Sequence, residues 1–280
     1  MNKRNLKRLR DTKGFVFDMD GTLVLGDTHN KGLQPLPGAV EMLQHLHALS
    51  VPYVVMTNGT IRTPGEYAPK LSALGFPVDE SIMLTPSSVA ADYFVQHKFK
   101  RIMVLGNEGV WRPLTDAGLE VVPSTTQDPG PVDAIYIGWY REFGFADMEA
   151  ACNAVWQGAR LFSASDAPFF AAANGRGIGT SCAIAAAIKA ITGKRAKVLG
   201  KPSMEALRCA AGRMNVNVKE LAVVGDDPDI EITMAHRGGA MAIYVHTGTG
   251  GRDGFGKLHK EKHPHLSLNG AGELLELYGG

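Results

Sequence analysis

A chain of 280 residues, 45% hydrophobic and 20% charged, has the length for one large domain or two modest ones and the composition of a soluble globular protein. Its formal net charge of +1 gives no electrostatic case for nucleic acid or an anionic membrane as partner. The three cysteines, Cys152, Cys182 and Cys209, are widely spaced and form no CxxC pair, which fits neither a zinc ribbon nor a disulfide framework and points to a reducing, cytoplasmic setting.

The basic N-terminal segment has no apolar run behind it, so no secretory leader is expected. Residues 14–18 read as a strand, and residues 37–49 as a helix with Val40, Leu43, Leu46 and Leu49 on one face. Residues 53–56 read as a second strand. Residues 65–74 form a helix stopped by Gly75. This β-α-β-α order favours a parallel sheet with right-handed crossovers. Strands follow at 101–105, 134–137 and 161–163, with helices at 110–117 and 147–157. The proline-rich stretch 122–132 reads as a surface loop. The alanine-rich stretch 182–191 is interrupted by Lys189 and is too short to cross a bilayer. The last third gives strands at 197–199, 221–224 and 240–245, a helix at 204–212, a glycine-rich loop at 248–256 and a final helix at 271–277. No linker divides the chain, which suggests an insertion within one domain.

The chemistry gathers at strand ends. Residues 15–23, FVFDMDGTL, run an apolar strand into Asp18 and Asp20, with Gly21 able to turn the backbone. If the extended geometry persists, these i, i+2 carboxylates point the same way and need a cation or a shared proton between them. Thr57-Asn58 ends the second strand, Gly200-Lys201-Pro202-Ser203 follows the strand at 197–199, and Gly225-Asp226-Asp227 follows the strand at 221–224. In a parallel sheet these ends share one edge, where α/β proteins place ligands. Acids, a hydroxyl, an amide and a lysine together suit phosphoryl transfer. A carboxylate can act as nucleophile, a hard cation such as Mg²⁺ can neutralise phosphate charge, and a second acid can protonate the leaving oxygen and then activate water.

These four motifs, in this order, resemble those of the haloacid dehalogenase superfamily. Gly26-Asp27, Pro37-Gly38-Ala39, Thr57-Asn58 with Arg62 nearby, and Gly200-Lys201-Pro202 are similar to the NagD / para-nitrophenyl phosphatase subfamily. The resemblance implies an α/β fold, a doubly wound parallel-sheet core with an inserted α/β cap of the C2 type. It implies a Mg²⁺-dependent phosphatase of small phosphorylated metabolites working through an aspartyl-phosphate. Asp18 would be the nucleophile and Asp20 the general acid/base. Asp18, Asp226 and the backbone carbonyl of Asp20 would hold Mg²⁺, and Thr57, Asn58 and Lys201 the phosphoryl group. Asp227, Asp229 and Glu231 offer further carboxylates behind the metal, where the subfamily usually has an aspartate at the last of these positions. The 39 positions from Asp18 to Thr57 leave no room for a lid, while the 144 from Thr57 to Lys201 do. The expected core is therefore 1–83 with 196–280, and the expected cap 84–195, whose surface could pair two subunits. In the cap, Ser163-Ala-Ser-Asp166 replaces the family's Thr-Asn-Pro-Asp, and Trp139 stands where an acid is common.

Other readings stand beside these. The chain could transfer phosphate to another alcohol, or keep the fold as an idle ligand-binding or regulatory module. Asn58-Gly59 could be a turn former, and Asp227, Asp229 and Glu231 an acidic cluster at a helix start. Gly175-Arg176-Gly177-Ile178-Gly179 reads as a turn rather than a dinucleotide loop. His259, His263 and His265 lie in a charged segment and read as solvated. Trp139, Tyr140 and Arg141 could wall a substrate site, though a core or surface role suits any one of them better.

Overall fold

The computed structural model describes residues 2–26, 32–126, 129–172, 175–248, 259 and 262–279. Asp27 and most of the glycine-rich loop fall outside them. In chain order the elements begin with α1 (Lys3–Arg10), β1 (Gly14–Asp18), a short antiparallel pair β2 (Val24–Leu25) and β3 (Gln34–Pro35), α2 (Ala39–Ala48), β4 (Tyr53–Met56), α3 (Pro64–Ser72) and β5 (Met83–Leu84). There follow α4 (Pro86–Gln96), β6 (Arg101–Leu105), α5 (Glu108–Asp116), β7 (Glu120–Pro123), β8 (Ala134–Ile137), α6 (Phe145–Trp156) and β9 (Arg160–Ser163). An antiparallel pair β10 (Phe169–Ala172) and β11 (Gly175–Ile178), α7 (Thr180–Thr192) and β12 (Lys197–Val198) come next. The chain closes with α8 (Met204–Met214), β13 (Leu221–Gly225), α9 (Thr233–Gly238), β14 (Met241–Val245), β15 (Leu266–Leu268) and α10 (Ala271–Gly279).

Two compact units result. The first takes residues 1–57, 65–84 and 201–280, and the second 58–64 and 85–200. Residues 58–64, counted with the core in the sequence reading, group with the second unit.

In the first unit, six parallel strands lie in the order β15-β14-β13-β1-β4-β5. β1 is central and all five of its residues are buried, which is why its sequence is a continuous apolar run rather than an alternating one. The chain moves from β1 to β4 and β5 on one side, then to β13, β14 and β15 on the other. The order thus reverses between β1 and β13, with Phe17 level with Val224. Such a switch point opens a crevice at the carboxyl ends of the strands. One core cluster unites Phe15 and Phe17 of β1, Met42, Leu43 and Leu46 of α2, and Ile243 of β14. α2 starts at Gly38, whose φ is 75° and where a Cβ would meet the Gly272 Cα at 2.3 Å, so only glycine fits.

The second unit has its own five-stranded parallel sheet, ordered β12-β9-β8-β6-β7, and its own core around Met103, Ile135, Ile137 and Ile188. The mixed α/β fold with parallel sheets is the one expected. Several elements depart from the sequence reading. β7 occupies the start of the stretch read as a loop, because Val122 is buried beside β6. Gly175–Ile178 is a strand paired with β10, not a turn. α4 starts from a capping box, in which Thr85 Oγ1 accepts from Ser88 N at 3.3 Å and Ser88 Oγ from Thr85 N at 3.0 Å.

Candidate active site

β1 delivers Asp18 at its last position, level with Met56 of β4. The strand stops there. Gly21, at φ 88°, turns the chain, and Gly21 N donates to Val24 O at 2.8 Å. The extended alternation that would aim Asp18 and Asp20 alike therefore does not persist, and the two carboxylates have different surroundings. Asp18 is buried, its Oδ1 paired with the Lys201 ammonium and its Oδ2 accepting from Thr22 Oγ1 at 3.0 Å. Asp20 is exposed, and its Oδ2 accepts from Thr57 Oγ1 at 3.1 Å. Thr57 N is taken by Leu84 O at 3.1 Å, so it is the hydroxyl of Thr57 that faces the acid. Asn58 falls in the second unit, with its Oδ1 against Gly200.

Lys201, 3% exposed, stands between two carboxylates, Asp18 and Glu231, with Nζ 2.8 Å from Glu231 Oε1. Burial opposes its charge, but Asp18 and Glu231 more than offset this and hold the ammonium above the usual lysine range. A further bond runs from Nζ to Met56 O at 3.2 Å. Asp226, the residue after β13, is also buried. Its carboxylate lies against the backbone of Gly21 and Gly248, where added Cβ atoms would meet Oδ2 at 2.7 and 1.7 Å. The pocket around Asp226 therefore depends on two glycines.

The three carboxylates following Asp226 separate. Asp227 caps the π-helical turn Pro228–Ile232, its Oδ1 accepting from Asp229 N at 2.8 Å. Asp229 is exposed and paired with Lys262. Glu231 turns inward, 2% exposed, and its Oε2 accepts from Asp227 N at 3.2 Å. Burial pushes its carboxyl above the usual glutamate range, with Lys201 pulling down and Asp18 and Asp226 pushing further up. Of the proposed supporting acids, Glu231 alone is placed at Lys201, by a one-turn π-helix of a kind often found at functional sites.

The donor set fits a divalent cation. Asp18, Asp226 and Glu231 are buried against one buried ammonium, which leaves an excess of negative charge that burial makes costly without a counter-ion. Among the described residues, no three His, Cys, Asp or Glu side chains form a ready cage. Two carboxylates and a carbonyl, completed by water and substrate oxygens, are the usual terms on which Mg²⁺ binds.

Three contributors went unassigned in the sequence. Thr22 was visible four residues after Asp18. Thr247, whose Oγ1 donates to Gly21 O at 2.6 Å, and Gly248 come from the far end of β14 and carry no local signal. His265 is not solvated. It is half-buried, its Nδ1 accepts from Ala242 N at 2.9 Å and its Nε2 lies 2.8 Å from Arg8 Nη1. In the second unit, Tyr140 donates to Asp147 Oδ1 at 3.2 Å, Trp139 N donates to Thr60 Oγ1 at 2.9 Å, and the Arg141 guanidinium lies 6.0 Å from the Trp139 ring centre.

Known proteins match both the sequence and this fold. A haloacid dehalogenase-like hydrolase model matches residues 15–120 and a HAD-hydrolase-like model residues 198–273. Rat (Rattus norvegicus) chronophin is 28% identical over 97% of this chain and 90% of its own. Ribonucleotide monophosphatase NagD of Escherichia coli strain K12 is 27% identical over 86% of this chain and 90% of its own. The p-nitrophenyl phosphatase from Archaeoglobus fulgidus superposes with a TM-score of 0.84 at 27% identity, covering 95% of this chain and 99% of that one. The chain belongs to the haloacid dehalogenase-like hydrolases, in the branch of NagD and the p-nitrophenyl phosphatases.

Proposed function

We propose that this phosphoric monoester hydrolase works by transient phosphorylation of Asp18, on small phosphorylated metabolites in the cytoplasm, with Mg²⁺ as its metal. The observation that carries the reading is the pairing of buried Asp18 with buried Lys201 at the switch point, beside Asp226. The named activities of the relatives, on ribonucleotide monophosphates and p-nitrophenyl phosphate, support the substrate class.

Asp18 attacks phosphorus through one carboxylate oxygen, and the bond from phosphorus to the leaving oxygen breaks. Asp20 enters as the acid and gives its proton to that oxygen, oriented by the Thr57 hydroxyl. As a carboxylate, Asp20 then takes a proton from water. The water oxygen attacks phosphorus, and the bond to Asp18 breaks to release inorganic phosphate. Lys201 pairs with the Asp18 carboxylate and balances charge on the phosphoryl oxygens, and Thr57 and Asn58 add donors to them. Mg²⁺, held by Asp18, Asp226 and the Asp20 carbonyl, would neutralise phosphate charge. The inserted unit, residues 58–64 and 85–200, is the cap that selects the leaving group.

The test is phosphate release from p-nitrophenyl phosphate with and without Mg²⁺, by the wild type and Asp18→Asn. Metal-dependent turnover lost in the variant, with unchanged circular dichroism, is expected. Full activity of Asp18→Asn, or none in the wild type with any divalent metal, overturns the reading.

A further inference from the structure

Thr57 and Asn58 are consecutive, yet Thr57 falls in the first unit and Asn58 in the second. The groups that hold Asn58 therefore belong to the second unit. Its strands β6, β8, β9 and β12 run parallel and end on one edge of the sheet. Residues 58–62 lie along that edge. Asn107, two residues after β6, donates from Nδ2 to Ile61 O at 3.0 Å. Trp139, two residues after β8, donates from its backbone N to Thr60 Oγ1 at 2.9 Å, and Thr60 is buried. Gly200, two residues after β12, backs Asn58 itself: a Cβ there would meet Asn58 Oδ1 at 2.8 Å and Ala164 O at 2.2 Å. A Cβ on Gly109, in the first turn of α5, would fall 2.5 Å from Thr60 O and 2.7 Å from Arg62 N. Only glycine at 109 and 200 lets the segment lie so close.

Asn107 takes this place at a cost to the fold. It stands at the N-cap of α5, where an asparagine ordinarily accepts from the first N–H groups of its helix. Its side chain makes no such bond. Its Oδ1 is a buried oxygen with no hydrogen-bond partner among the described residues. A missing cap and an unsatisfied buried acceptor both lower stability. The amide is turned to Ile61 O instead, so it fixes the segment that follows Thr57 and not the helix that it begins.

We propose that Asn107 and Thr60 are positioning residues for the hydrolysis: they pin residues 58–62 to the second unit, and so fix the Asn58 amide for its part in binding the phosphoryl group. The inference rests on the role given to Asn58 in the proposed function. Each residue acts through Asn58 and not on the substrate. A donor fixed in advance loses less entropy when it engages a phosphoryl oxygen, which is why a hydrogen bond made behind it affects the rate.

The experiment is a kinetic double-mutant cycle on the full chain with p-nitrophenyl phosphate and Mg²⁺, beside amide hydrogen exchange without substrate. Asn107→Ser keeps an N-cap residue for α5 and removes the donor to Ile61, so its midpoint in urea should not fall. We expect its kcat/KM to drop about tenfold in the wild-type background and less than about twofold further in Asn58→Ala. Amides of residues 58–63 should exchange at least about tenfold faster in Asn107→Ser. Thr60→Val should behave like Asn107→Ser, and Thr60→Ser, which keeps the hydroxyl, should restore the wild-type rate. Equal losses in the two backgrounds, or a loss that only follows the urea midpoint, would mean a general structural role and overturn the proposal. Unchanged exchange at 58–63 overturns it as well, whether or not the chain hydrolyses the ester. Failure of the hydrolase reading would appear elsewhere, as a wild type without turnover. Full activity of Asn58→Ala would strike the role of Asn58, and with it the claim that Asn107 and Thr60 act on the reaction.

Discussion

Glu231 and Lys201 form a buried ion pair at 2.8 Å, with both side chains only 3% exposed. A buried charge left without its partner costs several kcal/mol, so each group depends on the other. Glu231→Gln should keep the shape and remove the carboxylate, leaving Lys201 held by Asp18 without its second carboxylate neighbour. We expect kcat to fall by about one to two orders of magnitude with KM little changed, since Lys201 acts on charge that develops in the reaction. Glu231→Asp keeps the charge and should retain more activity than Glu231→Gln. Steady-state kinetics on p-nitrophenyl phosphate decide this, and equal activity of the two variants would mean that the charge of Glu231 is irrelevant.

Gly225 sets the position of Glu231. A Cβ at residue 225 would fall 2.2 Å from Glu231 Cγ and 2.5 Å from its Cβ, far inside contact distance. Gly225→Ala must therefore displace the glutamate or the end of β13. Overpacking of this kind costs about 1–3 kcal/mol. The expected outcome is a lower midpoint in urea together with a loss of turnover at least as large as that of Glu231→Gln. A variant of unchanged stability and rate would show that the turn after β13 is soft.

His265 ties α1 to the core and should make stability depend on pH. Burial, then the Arg8 guanidinium and the His236 ring 5.0 Å away, push its imidazole down to about 4, with Arg4 adding to the effect. Because the folded state resists protonation, this contribution is complete above about pH 6.5 and is lost as pH falls toward 4. Allowing for the half-exposed setting, the share is about 1–2 kcal/mol. Glu231 has the opposite sign: its raised value favours the folded state at low pH, and that share is lost as pH rises above the usual glutamate range. Urea titrations of wild type and His265→Asn between pH 4 and pH 7 separate the two. The difference between them should shrink as the pH falls, and a constant difference would contradict the account.

The chemistry of the site was legible because its residues sit at strand ends in a recognisable order. β1, β4 and β13 were readable as strands because they are central, buried on both faces and therefore apolar throughout. What local patterns could not give was the partnership across the sheet. Asp227, Asp229 and Glu231 look alike in sequence, and only the π-helical turn sends the first to a cap, the second to Lys262 and the third to Lys201. Short edge elements were missed for a related reason: β7 and β15 have three or four residues each, too few for a period to show. Likewise α1 buries only Leu9 and announces itself by charge, not by an apolar face.

The central claim is that Asp18 becomes phosphorylated, and the most direct measurement looks for that bond. The Asp20→Asn chain, slowed in the hydrolysis of the intermediate, is mixed with p-nitrophenyl phosphate and Mg²⁺, quenched in acid within one turnover and mapped by peptide mass spectrometry. We predict one phosphoryl group on the peptide containing Asp18, formed in step with p-nitrophenol release. Release of p-nitrophenol over a full turnover with no phosphorus on the chain, or with the group on another residue, would contradict it.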